Sequence, residues 1–351
     1  MKILTVVGTR PNITKVALLY KAMAKEFNCI LVHTGQHYDK NMSKDFFQEL
    51  DLPMPNANLG VGSGTHAGQT ARTMLNLEYF IETQKPNLVI VTGDTNASLS
   101  GALTAAKMGI PVCHVEAGVR CGDVSQPEEI NRKVIDHIST LNLAPTLTAA
   151  EYLKREQCPY SLTGDIMLDN FLFYSRKDFH RLTPTYKGFI YVTVHRAENT
   201  NGAERLAHIF AALDVLTKEW NIVLPLHPRT NKMLKQYGIK TKVEVIEPVG
   251  YLQSLSLTRN AFMVITDSGG LQKEAYWSGT PCVTLSPYTA WRETVDAGGN
   301  TLVEEITTDN ILRAVKKADK NFNPAFSMFG NGEAVGKTLN ALKAWSRANC
   351  G

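Results

Sequence analysis

Short runs of β-branched and aliphatic residues alternate along this chain with longer stretches in which apolar side chains recur every three or four positions. The first pattern suits a strand buried on both faces and the second an amphipathic helix laid over it, so the repeat predicts βαβ units around parallel sheets. In the first half, residues 2–9 (KILTVVGT), 28–35 (NCILVHTG), 87–95 (NLVIVTGDT), 110–118 (IPVCHVEAG) and 141–146 (LNLAPT) read as strands. Between them 14–27, 68–84, 97–109, 127–140 and 151–158 read as helices. A second series follows, with strands at 187–196, 221–230, 242–251, 261–270 and 280–287 and helices such as 203–220. The prediction is an α/β protein with two Rossmann-like, doubly wound domains in tandem that face a cleft.

Length supports that division, because 351 residues exceed what one core comfortably organises. We place the first domain at 1–165 and the second at 166–335. The terminal helix, 336–351, follows an irregular NFNPAFSMFGNGE stretch and is expected to return to the first domain. A hydrophobic content of 44% with 20% charged residues is that of a globular protein, and a net charge of +4 without basic clusters gives no reason to expect nucleic acid. Nothing approaches the roughly 18 apolar residues of a membrane span, and Met1-Lys2 leads directly into a strand, so the expected location is the cytoplasm with no membrane partner. Six widely separated cysteines in a chain of this size are expected to be free thiols. His33 and His37 are four apart but lie in a strand-to-loop setting that does not aim both at one ion, so no metal is expected.

Chemistry concentrates where predicted strands end. At 267–270 an apolar strand runs into Asp-Ser-Gly-Gly and a helix opens at once, with Glu274 one turn in. Glycines without Cβ atoms let an anion approach backbone N–H groups at the positive end of the helix dipole, which makes the segment a candidate cradle for a nucleotide diphosphate. An ordinary glycine-closed turn fits the same residues. Polar side chains also close the other strands, at the carboxyl ends where open α/β sheets bind ligands. The first strand ends in VVGTRP, not in the GxGxxG of a dinucleotide site.

Taken in order, GTRP (8–11), TGQH (34–37), GDTN (93–96), HVEAG (114–118), PEEINR (127–132), HRAEN (195–199), LHPRT (226–230) and DSGGLQKEA (267–275) resemble the non-hydrolysing UDP-N-acetylglucosamine 2-epimerases. The resemblance runs over nearly the whole chain. It implies a GT-B-like fold, a UDP-sugar in the cleft, no metal or other cofactor, and a homodimer. It also implies a route in which UDP leaves to give a 2-acetamidoglucal and then adds back, with a proton delivered to the other face of C2. Such a route needs carboxylates to move protons and donors to hold the diphosphate.

The matching positions are Asp94, Glu116 and Glu128 as acid/base candidates and His195 as the histidine that protonates or anchors the leaving phosphate. Each also has a plain reading: Asp94 as a helix cap, Glu128 as a first-turn acid, His195 as a core histidine. By resemblance, Arg10, Ser268, Gly269 and Gly270 bind the diphosphate and Glu274 binds the ribose. Tyr251, in Val249-Gly250-Tyr251, stands where uracil stacks, and Lys15, His227 and Arg229 are further substrate-binding candidates. The chain departs from the family pattern at Asn12, where an acid is usual, and at Ser286 and Ala290, which stand for an arginine and a glutamate. Trp291-Arg292-Glu293 and His37-Tyr38-Asp39 look closer to the branch acting on UDP-2,3-diacetamido-glucuronic acid, whose carboxylate Arg292 could meet. Two alternatives stay open: a hydrolysing relative that releases UDP and the free sugar, and a GT-B glycosyltransferase or a non-catalytic UDP-sugar-binding protein.

Overall fold

A computed structural model of the chain describes residues 1–35, 46–176, 188–318 and 321–349, and these fall into two compact units. Unit 1 comprises Met1–Tyr174 and Phe326–Gly351, and unit 2 comprises Ser175–Ala325. The divisions thus lie after Tyr174 and Ala325, not at 165 and 335. The reason is local: the helix Ile166–Tyr174 buries most of its residues and ties itself to unit 1. Asn170 Nδ2 donates to the carbonyls of Thr14 and Lys15, and the Tyr174 hydroxyl donates to that of Leu50. Asp169 accepts from the N–H groups of Ala334 and Val335, which fixes the start of the C-terminal helix Ala334–Asn349 in the same unit.

Unit 1 holds a seven-stranded parallel sheet. Its strands are β1 (Lys2–Val7), β2 (Asn28–His33), β3 (Ala57–Asn58), β4 (Leu88–Thr92), β5 (Val112–Val115), β6 (Leu141–Ala144) and β7 (Tyr160–Leu162), in the order β3-β2-β1-β4-β5-β6-β7. Helices α1 (Arg10–Met23), α2 (His66–Gln84), α3 (Asn96–Lys107), α4 (Pro127–Ile138) and α5 (Leu147–Arg155) connect them. Strands β4 and β5 are buried at every residue, as the continuous apolar runs require, and Val89, Val91 and Val112 join Leu77, Ile81, Ala102 and Ile135 from the helices in one core. Thr65 and Thr95 accept first-turn N–H groups at the starts of α2 and α3.

Unit 2 repeats the plan with six strands: β8 (Phe189–Thr193), β9 (Asn221–Pro225), β10 (Val245–Ile246), β11 (Met263–Thr266), β12 (Cys282–Thr284) and β13 (Asn300–Leu302), ordered β10-β9-β8-β11-β12-β13 and parallel throughout. Its helices include α6 (Ala197–Thr200), α7 (Ala203–Leu216), α8 (Pro228–Tyr237), α9 (Tyr251–Asn260), α10 (Gly269–Trp277), α11 (Arg292–Asp296) and α12 (Thr308–Lys317). In both sheets the order turns back at one place, between β1 and β4 in unit 1 and between β8 and β11 in unit 2. Those are the points where strands of a doubly wound sheet open a crevice at their carboxyl ends. The loops there carry Thr9-Arg10 and Asp94 in unit 1, and His195 and Ser268-Gly269-Gly270 in unit 2.

Candidate active site

In unit 1 three of the expected residues converge. Lys15, one turn into α1, places its Nζ 2.5 Å from Glu116 Oε1, and both side chains are largely buried. Glu116 follows β5 directly with a φ of 71°, a left-handed conformation that costs a residue with a side chain of order 1 kcal/mol and aims its carboxylate at the β4 loop. Gly93, at φ 63°, makes that approach possible: a Cβ on it would stand 3.0 Å from Lys15 Nζ and 3.2 Å from Glu116 Oε1. Burial alone would lower the Lys15 pKa, but Glu116 first and then Asp94 and Asp165 outweigh it and hold the ammonium above its ordinary range.

Asp94 is not the cap of α3, since Thr95 fills that role. It pairs instead with Arg132 Nη2, while Arg132 Nη1 donates to Glu129 2.9 Å away. The Arg132 guanidinium is buried, which would lower its pKa, yet Asp94 and the other groups around it keep it firmly charged. Asn131 Nδ2 adds a bond to the Asp94 carbonyl at 2.8 Å. Glu128 lies half-buried in the first turn of α4, one turn before Arg132, where the helix dipole favours an anion. Asn12 is buried and joins the two loops by donating to Thr92 O at 2.9 Å and accepting from Thr9 and Thr95. An aspartate there would lose the donor to Thr92. Arg10 sits with its guanidinium carbon 5.7 Å from the Phe46 ring centroid.

Behind these loops is a buried clamp that the sequence did not announce. The His114 ring spans Asp136 Oδ1 at 2.6 Å and the Gly93 carbonyl at 3.0 Å. The other Asp136 oxygen accepts from Gly118 N and pairs with Arg120, which also binds Glu156 through two nitrogens. Burial would raise the Asp136 pKa, but His114 and Arg120 draw it below the ordinary carboxylate range. One carboxylate therefore fixes both the loop carrying Asp94 and the loop carrying Glu116. His137, Glu156 and Cys158 bring possible ligand atoms within 4.8 Å of one another, but Arg120 already holds the Glu156 carboxylate.

In unit 2, α10 begins at Gly269 with Ser268 as its cap, its hydroxyl accepting from Leu271 N. Ser268, Gly269 and Gly270 are partly exposed, whereas Glu274 is buried. Next to this turn, His195 is partly exposed and its Nδ1 lies 3.1 Å from Asp267 Oδ1, so it is not a core residue. Asp267 is fully enclosed and also accepts from the N–H groups of His195 and Arg196 and from Asn199 Nδ2. Burial would raise its pKa, yet these donors, His195 foremost, hold it far below the ordinary carboxylate range. With Nδ1 engaged, Nε2 is the nitrogen left to meet a substrate. His227 caps α8 and its ring centroid is 5.6 Å from that of His195.

Other expected residues are placed differently. Arg229 is bound to Thr200 Oγ1 at 2.9 Å and Asn201 Oδ1 at 2.7 Å, at the end of α6. Tyr251 is the buried first residue of α9. Arg292 is exposed and reaches Asp296 Oδ1 at 3.2 Å. His37, Tyr38 and Asp39 lie outside the described residues. Arg132, Asp267, His114 and Asp136 were not anticipated. Arg132, Asp267 and His114 stand inside the quoted PEEINR, DSGG and HVEAG motifs, four residues after Glu128, one before Ser268 and two before Glu116, which is the signal the sequence offers.

Two doubly wound parallel sheets, with acids at one reversal point and a serine-capped helix opening on two glycines at the other, match the GT-B-like class of α/β proteins. The sequence profile of the UDP-N-acetylglucosamine 2-epimerases matches residues 21–343. A Methanococcus maripaludis protein named UDP-N-acetylglucosamine 2-epimerase homolog is 42% identical, the match covering 98% of this chain and 99% of that one. The UDP-2,3-diacetamido-2,3-dideoxy-D-glucuronate 2-epimerase of Pseudomonas aeruginosa is 40% identical over 97% and 99%. The crystal structure of Methanocaldococcus jannaschii UDP-GlcNAc 2-epimerase in complex with UDP-GlcNAc and UDP matches with a TM-score of 0.90 at 37% identity, over 98% of this chain and 100% of that one. The chain belongs to the UDP-N-acetylglucosamine 2-epimerase family.

Proposed function

We propose that this protein inverts C2 of a UDP-2-acetamido sugar by eliminating UDP to a glycal and adding it back. The observation that carries the reading is the meeting of Glu116 and Lys15 at the reversal point of the unit 1 sheet, with Asp94 close enough to act on the same ammonium. The hydrogen on C2 is not activated by a carbonyl, so a base removes it only as the C1–O bond to UDP breaks: the C1–O electron pair leaves with UDP and the C2–H pair forms the C1=C2 double bond. Asp94, Glu116 and Glu128 supply the carboxylates on the sugar side. Lys15 and Arg132 keep the cluster from accumulating uncompensated negative charge next to a dianionic leaving group.

The N–H groups opening α10 and the Ser268 hydroxyl receive the diphosphate, and Arg10 is a further candidate for a charge-assisted bond to it. His195, oriented by Asp267, meets the departing phosphate through Nε2. Glu274 accepts from the ribose hydroxyls. On return, UDP adds to C1 from the side it left, and a carboxylic acid on the opposite face delivers the proton to C2.

The test is incubation in deuterated water with UDP-GlcNAc and, separately, with its 2,3-diacetamido-uronic acid analogue, followed by NMR. Deuterium at C2 in a product that retains UDP supports the reading, and the donor that exchanges identifies the sugar. Free sugar with UDP makes the enzyme hydrolytic, and the absence of exchange with both donors refutes the reading.

We propose further that two copies pair through unit 1, where Met74, Leu99 and the exposed Ile130 line an apolar groove of ≈ 430 Å³ and Leu75 and Tyr79 stand exposed on α2. Leu75→Glu with Tyr79→Glu converts a dimer into a monomer in light scattering, and a wild-type monomer at micromolar concentration refutes the pairing. A cytoplasmic location is proposed on the free state of Cys29, Cys113, Cys121, Cys158 and Cys282. Among the described residues no helix is long and apolar enough to cross a membrane.

A further inference from the structure

We infer that the indole N–H of Trp291 is a hydrogen-bond donor to the diphosphate at the start of α10. This rests on the reading of that turn as the UDP cradle and adds to it a residue that the sequence marks only by its resemblance to the 2,3-diacetamido-glucuronic acid branch.

Trp291 is 5% exposed, and its position is over-determined. Its backbone N–H donates to Thr289 Oγ1 at 3.0 Å, and its carbonyl accepts from Thr294 N and Oγ1. Thr289 in turn donates to Gln272 Oε1 at 2.7 Å, which seats the loop on α10. The fully buried Lys273 lies with its Nζ 3.5 Å from the centroid of the Trp291 ring, a cation over a π face that fixes the ring plane. Nε1, the polar atom of this immobilised side chain, makes no hydrogen bond to any described residue, although the N–H of a largely buried indole ordinarily finds an acceptor.

Its direction supplies the ligand. A Cβ built on Gly269 would stand 3.5 Å from Trp291 Nε1 and 3.8 Å from Arg196 Nη2. The indole N–H therefore reaches the same first turn whose backbone N–H groups face an incoming anion, from the side that glycine leaves uncovered. A phosphate oxygen at that turn would accept from the backbone, with the indole N–H and the Arg196 guanidinium beside it. The acceptor that Trp291 lacks is the one the cradle is built to hold. A positive charge stacked on the ring draws electron density from the indole and strengthens it as a donor, so buried Lys273 assists the anion without touching it.

The test compares UDP with uridine on wild-type protein and on Trp291→Phe, which keeps a ring for Lys273 and removes only the donor. A hydrogen bond to a charged oxygen corresponds to roughly a ten- to hundredfold weaker UDP affinity in the variant, with uridine affinity unchanged within about twofold. In wild-type protein labelled with ¹⁵N, the Trp291 indole resonance, assigned by its absence in the variant, shifts downfield on adding UDP and stays in place on adding uridine. An unmoved indole resonance, or a variant that binds UDP like wild type or loses UDP and uridine equally, overturns the inference. Wild-type protein that fails to bind UDP at all overturns the cradle itself, which separates the two failures. Should Trp291→Phe fold poorly, the wild-type resonance decides alone.

Discussion

Removing Lys15 and Glu116 singly and together is the most informative perturbation of unit 1. The two groups meet at 2.5 Å with side-chain exposures of 12% and 5%, so solvent screens them little. An exposed pair of this kind is worth under about 1 kcal/mol, whereas taking one partner from a buried pair costs roughly 3–5 kcal/mol because the other charge stays behind. Lys15→Met leaves the Glu116 carboxylate enclosed near Asp94, so its cost falls within that range. Glu116→Gln leaves an ammonium that Asp94 and Asp165 still compensate, and its cost falls at the lower end. The double substitution removes both charges from one pocket and should cost no more than the worse single change. Urea denaturation of the four proteins then yields a coupling of about 3 kcal/mol, equivalent to roughly 6–12 °C in Tm for a unit of this size. Additive losses, with coupling under about 0.5 kcal/mol, would refute the view that these residues form one buried unit. The same outcome would remove the reason for placing a carboxylate there at a left-handed φ.

Other consequences follow from neighbouring contacts. Asp267→Asn replaces an acceptor-only group that faces His195 Nδ1 and two backbone N–H groups; it should cost about 2–3 kcal/mol by thermal denaturation and invert the His195 tautomer, visible in its imidazole ¹⁵N shifts. Asp136, Glu129 and Asp267 all have pKa values held below the ordinary range, so the stability they contribute is complete above about pH 4 and is lost as pH falls through their folded values. A urea midpoint that does not fall between pH 5 and pH 3 would contradict those environments. Gly93→Ala introduces a left-handed Cβ at 3.0 Å from Lys15 Nζ; a loss of about 1–2 kcal/mol should accompany a larger fall in kcat than in UDP affinity.

Much of this architecture was written in the chain's periodicity, and the exceptions have physical causes. Strands such as β1, β4, β8 and β11 are apolar over four or more residues and stood out. Strand β3 is two residues long, too short to show a period, and β7 and β13 are three, while β10 keeps only two residues of the run at 242–251. The boundary near 165 missed Ile166–Tyr174 because IMLDNFLFY has apolar side chains on several faces, so its pattern pointed to no single neighbour. Asp94, Glu116 and Ser268-Gly269-Gly270 were legible because their position after a strand is a local property of sequence. The partners were not, because Arg132, Asp136 and His114 reach those loops across 38, 18 and 21 residues of chain, a matter of tertiary register. Trp291 shows in the sequence only as a branch marker, because its ring edge meets the turn at Gly269 across 22 residues of chain.

The proposed division of labour, in which Asp94 and Glu116 move the proton at C2 without holding the nucleotide, is read from C2 deuterium incorporation and UDP affinity on Asp94→Asn and Glu116→Gln. Both variants should bind UDP within about threefold of wild type and lose exchange by a factor of a hundred or more. Exchange at the wild-type rate in both variants would contradict it.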